Sequence, residues 1–256
     1  MTTRSLIAGE IRKVGTTRLW LWLLVAAMAL TALYAGLNIA FTDDPDNFAP
    51  HLSTPEGRRL LLAIAATPAT TFAAVLAAIG ITGEFRHRTA TVTFLATPRR
   101  WRVAAAKLVT YGAAGAAFAA ACLAVVISMG TPWLASMDIE LTLNDDGVPG
   151  TLTGVVAAGA AFGLLGVALG ALLRDQVATV VGLLVYRFVA EPILTSVPAL
   201  HEWTLWLPGA AASGLARSTL ENRDFLDPWL AALVLGGYVT LLATAGAIAT
   251  ARRDIN

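Results

Sequence analysis

Long apolar segments separated by short polar ones are the dominant pattern of this chain. A helix needs about 20 apolar residues to cross about 30 Å of hydrocarbon, and six segments of the sequence reach that length. They cover residues 19–41, 60–82, 104–130, 151–173, 177–197 and 229–251. The pattern therefore predicts an all-α membrane protein with six transmembrane helices. We expect the first segment to be retained, because it is longer than the apolar core of a signal peptide.

The composition agrees with a membrane protein. Of the 256 residues, 57% are hydrophobic and 14% are charged, whereas a soluble domain is about 25% charged. The mean hydropathy is +0.68. We expect one transmembrane domain over residues 1–256, with the lipid bilayer as its surroundings. The net charge of +1 gives no reason to expect a nucleic acid partner.

The charges of the loops predict the orientation. Cytoplasmic loops carry an excess of Lys and Arg, and the segment 83–103 holds five arginines against one acid, Glu84. The segments 42–57 and 131–150 hold acids and no Lys or Arg. We therefore expect a multi-pass protein of the cell membrane, with both termini and the basic loop in the cytoplasm.

Two further segments depart from a simple alternation of spans and loops. Residues 2–17 place apolar side chains at helical spacing among charges, which predicts an amphipathic helix on the membrane surface. Residues 205–220 are largely apolar but too short to cross twice. We interpret them as a re-entrant outer element between the fifth and sixth spans, which requires packing against protein or water.

Glycines recur at a spacing of four in the fourth span. Gly159 and Gly163 form one GxxxG spacing, and Gly166 and Gly170 form another. Small residues allow close approach of helix backbones in membranes. Both packing within the chain and a dimer face fit this pattern, and we favour packing within the chain.

Motifs of enzyme chemistry are absent from the sequence. It contains no HExxH, GxSxG or GxxxxGK[ST] motif, so we expect neither an enzyme nor an ATP-binding chain. His51, His87 and His201 fall in three different loops, which argues against a shared metal site. We expect no cofactor in this chain.

One pair of opposite charges lies within the fifth predicted span. Arg187 and Glu191 are four residues apart and therefore share one helix face. Charges within a membrane are costly and usually face the bundle interior or a wet cavity. The pair could line or gate a translocation path, or it could hold the fifth span against its neighbours as a structural pair.

The basic loop is the most informative segment. It opens with Gly83-Glu84-Phe85-Arg86 and continues through Thr89 to Pro98 and Arg99. Attraction of arginines to anionic lipid explains its positive charge. It does not explain the acid at its start or the helix-length insert with exposed apolar residues, which a docking surface for a soluble partner would explain.

This pattern resembles the segment that follows the second span in ABC type-2 transporter permeases. The residues that carry the resemblance are Glu84, Phe85, Arg86, Thr89, Pro98, Arg99 and Lys107. The likeness extends to a fifth span that ends in Glu191-Pro192 and is followed by Leu207-Pro208.

The resemblance implies a function and partners. The chain would be the membrane subunit of a bacterial ATP-binding-cassette exporter, and residues 83–103 would contain a coupling helix. Glu84, Phe85, Arg86 and Thr89 would contact a separate ATPase subunit, expected in two copies, which would bind ATP and Mg. A second permease chain, identical or related, would complete a pathway for a hydrophobic or amphipathic substrate such as a drug, lipid or peptide-like molecule.

Two other classes of function remain open at this point. A membrane enzyme acting on lipid would need a convergent set of polar catalytic residues, and none is visible in the sequence. A non-transporting membrane anchor or regulatory subunit of an ATPase complex would use the same docking loop.

Overall fold

The computed structural model describes residues 3–44, 47, 49–86, 100–144, 147–216 and 225–253, and these form an all-helical fold. Six helical segments in this part of the chain are long and apolar enough to cross a membrane, which confirms the prediction of six such helices. In chain order, the first to sixth spans are Leu19–Ala40, Pro55–Arg86, Arg102–Ala135, Val148–Leu173, Gln176–Ser196 and Pro228–Gly246.

The described part of the chain contains eleven α-helices, and eight of them form the six spans. Their bounds are Thr3–Thr16 (α1), Leu19–Ala40 (α2), Pro55–Ala63 (α3), Ala66–Arg86 (α4), Arg100–Ala135 (α5), Val148–Leu173 (α6), Gln176–Val185 (α7), Glu191–Ser196 (α8), His201–Thr204 (α9), Pro208–Leu215 (α10) and Pro228–Arg253 (α11). The second and third spans extend past the predicted limits at 60–82 and 104–130, because their helices also include the polar residues that flank the apolar segments.

The second span lies at the centre of the bundle. In its most apolar stretch 83% of the residues are buried, against 22% in the first span and 11% in the fifth. Helix α4 packs against α2, α5, α6 and α7. Its buried residues are mostly alanine and threonine, and such small side chains allow the close backbone contact that stabilises helices in a membrane.

The second span is not one continuous helix. Helix α3 ends at Ala63 and α4 begins at Ala66, with Ile64 and Ala65 between them. Pro68 follows in the first turn of α4, where the proline nitrogen has no intrahelical hydrogen bond to lose. The interruption therefore lies inside the apolar region that the sequence predicted as a single span.

The fifth span is also irregular. A π-helical turn, Tyr186–Ala190, joins α7 to α8, and the Glu191 N–H donates to the carbonyl of Tyr186 five residues earlier. Pro192 lacks an N–H and cannot donate to the carbonyl four residues before it. The wider turn thus precedes the proline, and helix resumes through Ser196.

The glycines of the fourth span pack within the chain. A methyl group added at any of them would meet a neighbouring helix of the same chain: Gly115 of α5 at Gly159, Tyr111 of α5 at Gly163, Ala74 of α4 at Gly166 and Ile81 of α4 at Gly170. These contacts place α6 directly against α4 and α5.

Two short helices pack against the spans. Helix α1 contacts α5, near the end of the bundle where α4 ends and α5 begins, which we call the α1 end. Helix α10, within the segment 205–220, packs against α6 and α11 and has five buried residues among its eight. Of the segment predicted as a coupling helix, α4 includes residues up to Arg86 and α5 starts at Arg100; residues 87–99 lie outside the described part.

Candidate functional site

Four charged side chains from three helices meet at the α1 end, and we call them the charge cluster: Glu10 and Lys13 of α1, Glu84 of α4 and Lys107 of α5. Lys107 Nζ lies 2.9 Å from Glu10 Oε2 and also donates to Glu84 Oε1. Lys13 Nζ lies 2.8 Å from Glu10 Oε1 and 2.9 Å from Glu84 Oε1. Each ammonium therefore bridges both carboxylates.

The charge cluster is mostly shielded from solvent. The side chains of Lys107 and Glu10 are 5% and 6% exposed, that of Glu84 is 12% exposed, and that of Lys13 is 49% exposed. Buried charges are tolerated only when paired and hydrogen-bonded. Two acids and two bases give this cluster no net charge, so the pairing satisfies that condition.

The cluster shifts the protonation equilibria of its two α1 members. Burial alone would raise the pKa of Glu10, but the charge of Lys107 and the hydrogen bonds from Lys13 and Lys107 outweigh it, so the pKa of Glu10 is lowered. Burial alone would lower the pKa of Lys13, but hydrogen bonds to Glu10 and Glu84 outweigh it, so the pKa of Lys13 is raised. Both shifts favour the charged forms.

The predicted coupling residues have different surroundings. Glu84 belongs to the charge cluster. Phe85 packs against the hydrophobic core, and the Arg174 guanidinium lies 5.2 Å from its ring centroid. Arg86 is exposed at the last residue of α4, and Thr89 lies outside the described residues. Contact with an ATPase remains a prediction for all four.

The charge cluster was not predicted from the sequence. One residue did indicate such a cluster. Lys107 is a lone charge one to two turns inside the third span, where an ammonium needs a carboxylate partner. Glu10, three residues before Lys13, offered one. Pairing them required knowing that α1 lies beside α5, which no local pattern of the sequence contains.

Arg187 and Glu191 meet in the fifth span. Arg187 Nη1 lies 2.7 Å from Glu191 Oε2, and Arg187 Nη2 donates to Thr67 Oγ1 of α4 at 3.2 Å. Glu191 Oε1 accepts from the Ala210 N–H of α10 at 3.1 Å. The pair therefore joins the fifth span to the second span and to α10.

Helix α10 approaches this ion pair very closely. A methyl group at Gly209 would overlap Arg187 Nη1 and both carboxylate oxygens of Glu191. Only glycine leaves room for the first turn of α10 to reach the carboxylate. The partial positive charge of a helix N-terminus stabilises a carboxylate placed there, and Glu191 is 4% exposed.

Thr67 and Arg187 each line a cavity. One of about 360 Å³ is lined by Tyr34, Leu37 and Asn38 of α2 together with Ile64 and Thr67. Another of about 410 Å³ lies among the second, fourth, fifth and sixth spans, with Tyr186 and Arg187 in its wall. The contact between Arg187 and Thr67 thus joins the two irregular helix segments, and each of its residues lines one of the cavities.

Among the described residues, no group of three or more His, Cys, Asp or Glu side chains has the arrangement of a metal site. His51 instead contacts Asp43, with Nε2 2.7 Å from the carboxylate.

Neither protein-family models nor curated protein sequences give a match to this chain.

Proposed function

We propose that this chain is the transmembrane permease subunit of an ABC transporter in the cell membrane. Both termini and residues 83–103 face the cytoplasm, where α1 lies along the membrane surface and residues 83–103 form the coupling element. A separate ATPase subunit docks there. Hydrolysis of ATP by that partner drives export of a hydrophobic or amphipathic substrate by alternating access, with α10 as part of the re-entrant outer element.

The observation that carries the proposal is the charge cluster. Residues 87–99 connect α4 to α5, and the cluster joins both of these helices to α1 through Glu84 and Lys107. A loop that served only to reverse the chain would need no buried ionic connection to a third helix. With it, a displacement of the segment by a partner moves α1, α4 and α5 together.

The exposed apolar surface of the fifth span supports a contact with a second permease chain. The fifth span is the least buried of the six, and it presents a stripe of exposed apolar side chains at Val177, Val181, Val185, Phe188, Val189 and Ile193. In this proposal the stripe contacts lipid and, in part, a second permease chain, identical or related.

The first test is purification of the tagged chain from its native membrane in a mild detergent, with mass spectrometry of the proteins that copurify. The expected partner is an ATPase that carries a Walker A motif. A complex that repeatedly contains no ATPase contradicts the proposal. An ATPase that binds but drives no substrate movement in vesicles indicates the anchor or regulatory subunit instead.

A charge reversal at the docking surface sharpens the test. Arg86 is exposed at the end of α4, so Arg86→Glu changes the predicted contact with little effect on packing. Arg18, exposed between α1 and α2, gives the matched control Arg18→Glu. We expect the Arg86 variant to lose most of the copurifying ATPase and the control to retain it; equal retention in both would exclude Arg86 from the contact.

A further inference from the structure

The exposed charges at the start of the chain are positive. Helix α1 and the two residues that join it to α2 carry the arginines Arg4, Arg12 and Arg18, and all of these are exposed. The acid of α1 is Glu10, which is buried in the charge cluster. Because the charge cluster is neutral as a group, the exposed arginines leave the outer side of this segment with a net positive charge.

This basic segment is tied to the end of a membrane span. Helix α1 ends at Thr16 and α2 begins at Leu19, and three residue steps reach about 10 Å at most. The end of α1 therefore stays beside the point where the first span begins. The first span contains 22 residues, which make a helix about 33 Å long, close to the thickness of the hydrocarbon. Arg18 thus lies at the boundary between the headgroups and the hydrocarbon.

An exposed apolar stripe of the first span begins directly after Arg18. The Trp22 N–H donates to the carbonyl of Arg18 at 3.3 Å, so the two side chains lie one helical turn apart on one face. Val25 and Ala29 are also exposed and continue this face at spacings of three and four residues. Trp22 is 65% exposed, and tryptophan prefers the headgroup region of a membrane. A cation, an amphipathic ring and apolar side chains therefore follow one another in the order of the phosphate, glycerol and acyl chains of a lipid.

We propose that this face binds an anionic phospholipid. The Arg18 guanidinium binds the phosphate, and the acyl chains follow Trp22 and Val25. The other two arginines of the segment attract the net negative charge that a zwitterionic headgroup lacks, since each basic residue near an anionic membrane surface strengthens binding about fivefold. The site requires that α2 crosses a membrane and does not depend on the transport role proposed above.

A soluble protein fits this face less well than a lipid does. Val25 and Ala29 lie about 10 Å and 16 Å from Arg18 along the helix, at the depth of acyl chains, which a protein at the membrane surface does not reach. Ile11 of α1 is 57% exposed and lies next to Arg12. An apolar side chain on a basic surface is typical of a helix that lies in the headgroup layer.

The fifth span provides a contrast within the same chain. It too has a stripe of exposed apolar side chains, but the exposed residue that precedes it is an acid, Asp175. The guanidinium of the neighbouring Arg174 lies over the Phe85 ring instead. An acid at the end of the stripe repels an anionic headgroup, so we expect anionic lipid to be enriched beside the first span and not beside the fifth.

The test uses the purified chain in phosphatidylcholine nanodiscs that contain a small fraction of a photoreactive lipid. One probe is a phosphatidylglycerol and the other a phosphatidylcholine, with the same diazirine in the acyl chain. After irradiation, mass spectrometry measures labelling of residues 19–30 and, as an internal reference, of residues 176–185. We expect phosphatidylglycerol to label residues 19–30 several-fold more strongly than phosphatidylcholine does, and the two probes to label the reference equally. High salt should reduce the excess, because it screens exposed charges.

A pair of matched variants locates the binding. Arg18→Gln removes the cation at the start of the stripe and should reduce the excess of phosphatidylglycerol labelling about fivefold. Arg86→Gln removes an exposed arginine at the same end of the bundle, but on the enclosed second span, and should keep the excess. Equal labelling of residues 19–30 by the two probes in the unmodified chain would overturn the proposal. So would an excess that Arg18→Gln leaves unchanged, and loss of a copurifying protein from that variant would then identify a protein as the partner of this face.

Discussion

The Lys107 ammonium lies 2.9 Å from the Glu10 carboxylate, although the two residues are 97 positions apart in the chain. Both side chains are almost fully buried. This contact joins the N-terminal helix α1 to the third span. Glu84 completes the connection to the second span, so a single group of charges fixes three helices at the α1 end.

Replacing Lys107 should destabilise the protein more than replacing Lys13. Lys107→Ala leaves two buried carboxylates beside a single ammonium, and breaking a buried pair costs about 3–5 kcal/mol. Lys13 is half exposed, so Lys13→Ala should cost about 1 kcal/mol or less. Thermal unfolding of the purified variants in detergent measures the difference. Equal losses of stability in the two variants would show that burial does not determine how much each lysine of the cluster contributes.

The charge cluster should make stability fall in acid. Because the pKa of Glu10 is lowered from its ordinary value of 4.5, its contribution is fully present above that pH and is lost as the pH falls through the folded value. The raised pKa of Lys13 places its own loss above its ordinary value of 10.5. Between these limits the contribution of both groups is constant.

The variant Glu10→Gln tests whether Glu10 causes the loss of stability in acid. This variant lacks the titrating carboxyl, so its melting temperature should be lower at neutral pH and should fall less steeply below pH 4.5 than that of the unmodified chain. Parallel pH profiles for the two proteins would exclude Glu10 as a source of the acid sensitivity.

Arg187 and Glu191 should behave as a pair in a double-mutant comparison. Arg187→Met leaves the buried Glu191 carboxylate with only its contact to α10, at a cost of about 3–5 kcal/mol. Arg187→Met combined with Glu191→Leu removes both charges and should be milder. Yield of folded protein after membrane extraction, together with its melting temperature, provides the measurement. A double variant as impaired as the single one would mean that the charges have a role beyond their mutual contact.

Gly209→Ala should displace α10 from the ion pair. The added methyl overlaps the Arg187 guanidinium and the Glu191 carboxylate, and overpacking of this kind costs about 1–3 kcal/mol. Gly236→Ala, on a surface with open space, should be neutral or slightly stabilising, because alanine favours helix over glycine. The thermal stabilities of the two variants test this difference, and similar values for both would rule out a close approach of α10 at Gly209.

The number of spans could be predicted from the sequence, because the length of an apolar segment is a local property that the membrane thickness fixes. Helix continuity is different. In the apolar region 60–82 the one sign of the interruption at Ile64 and Ala65 was Pro68, which favours the first turn of a helix, whereas hydropathy does not distinguish a broken helix from a continuous one.

Ionic contacts within one helix could be predicted from the sequence, whereas those between helices could not. Arg187 and Glu191 could be paired in advance because a helix brings residues four apart together. Thr67 and Ala210, which complete their surroundings, belong to other helices. Lys107 and Glu10 likewise meet only through the packing of α1 on α5, which the sequence pattern of neither helix specifies.

The separation of Glu10 from Lys107 also sets an order of events during synthesis. At about 5–20 residues per second, the ribosome adds Lys107 roughly 5–20 s after Glu10. Helix α1 is therefore made well before Lys107, whose ammonium pairs with the buried Glu10 carboxylate. It follows that α1 reaches its final position only after the third span has entered the bilayer. A nascent chain arrested before residue 107 should accordingly leave α1 open to protease, and one arrested beyond the third span should protect it.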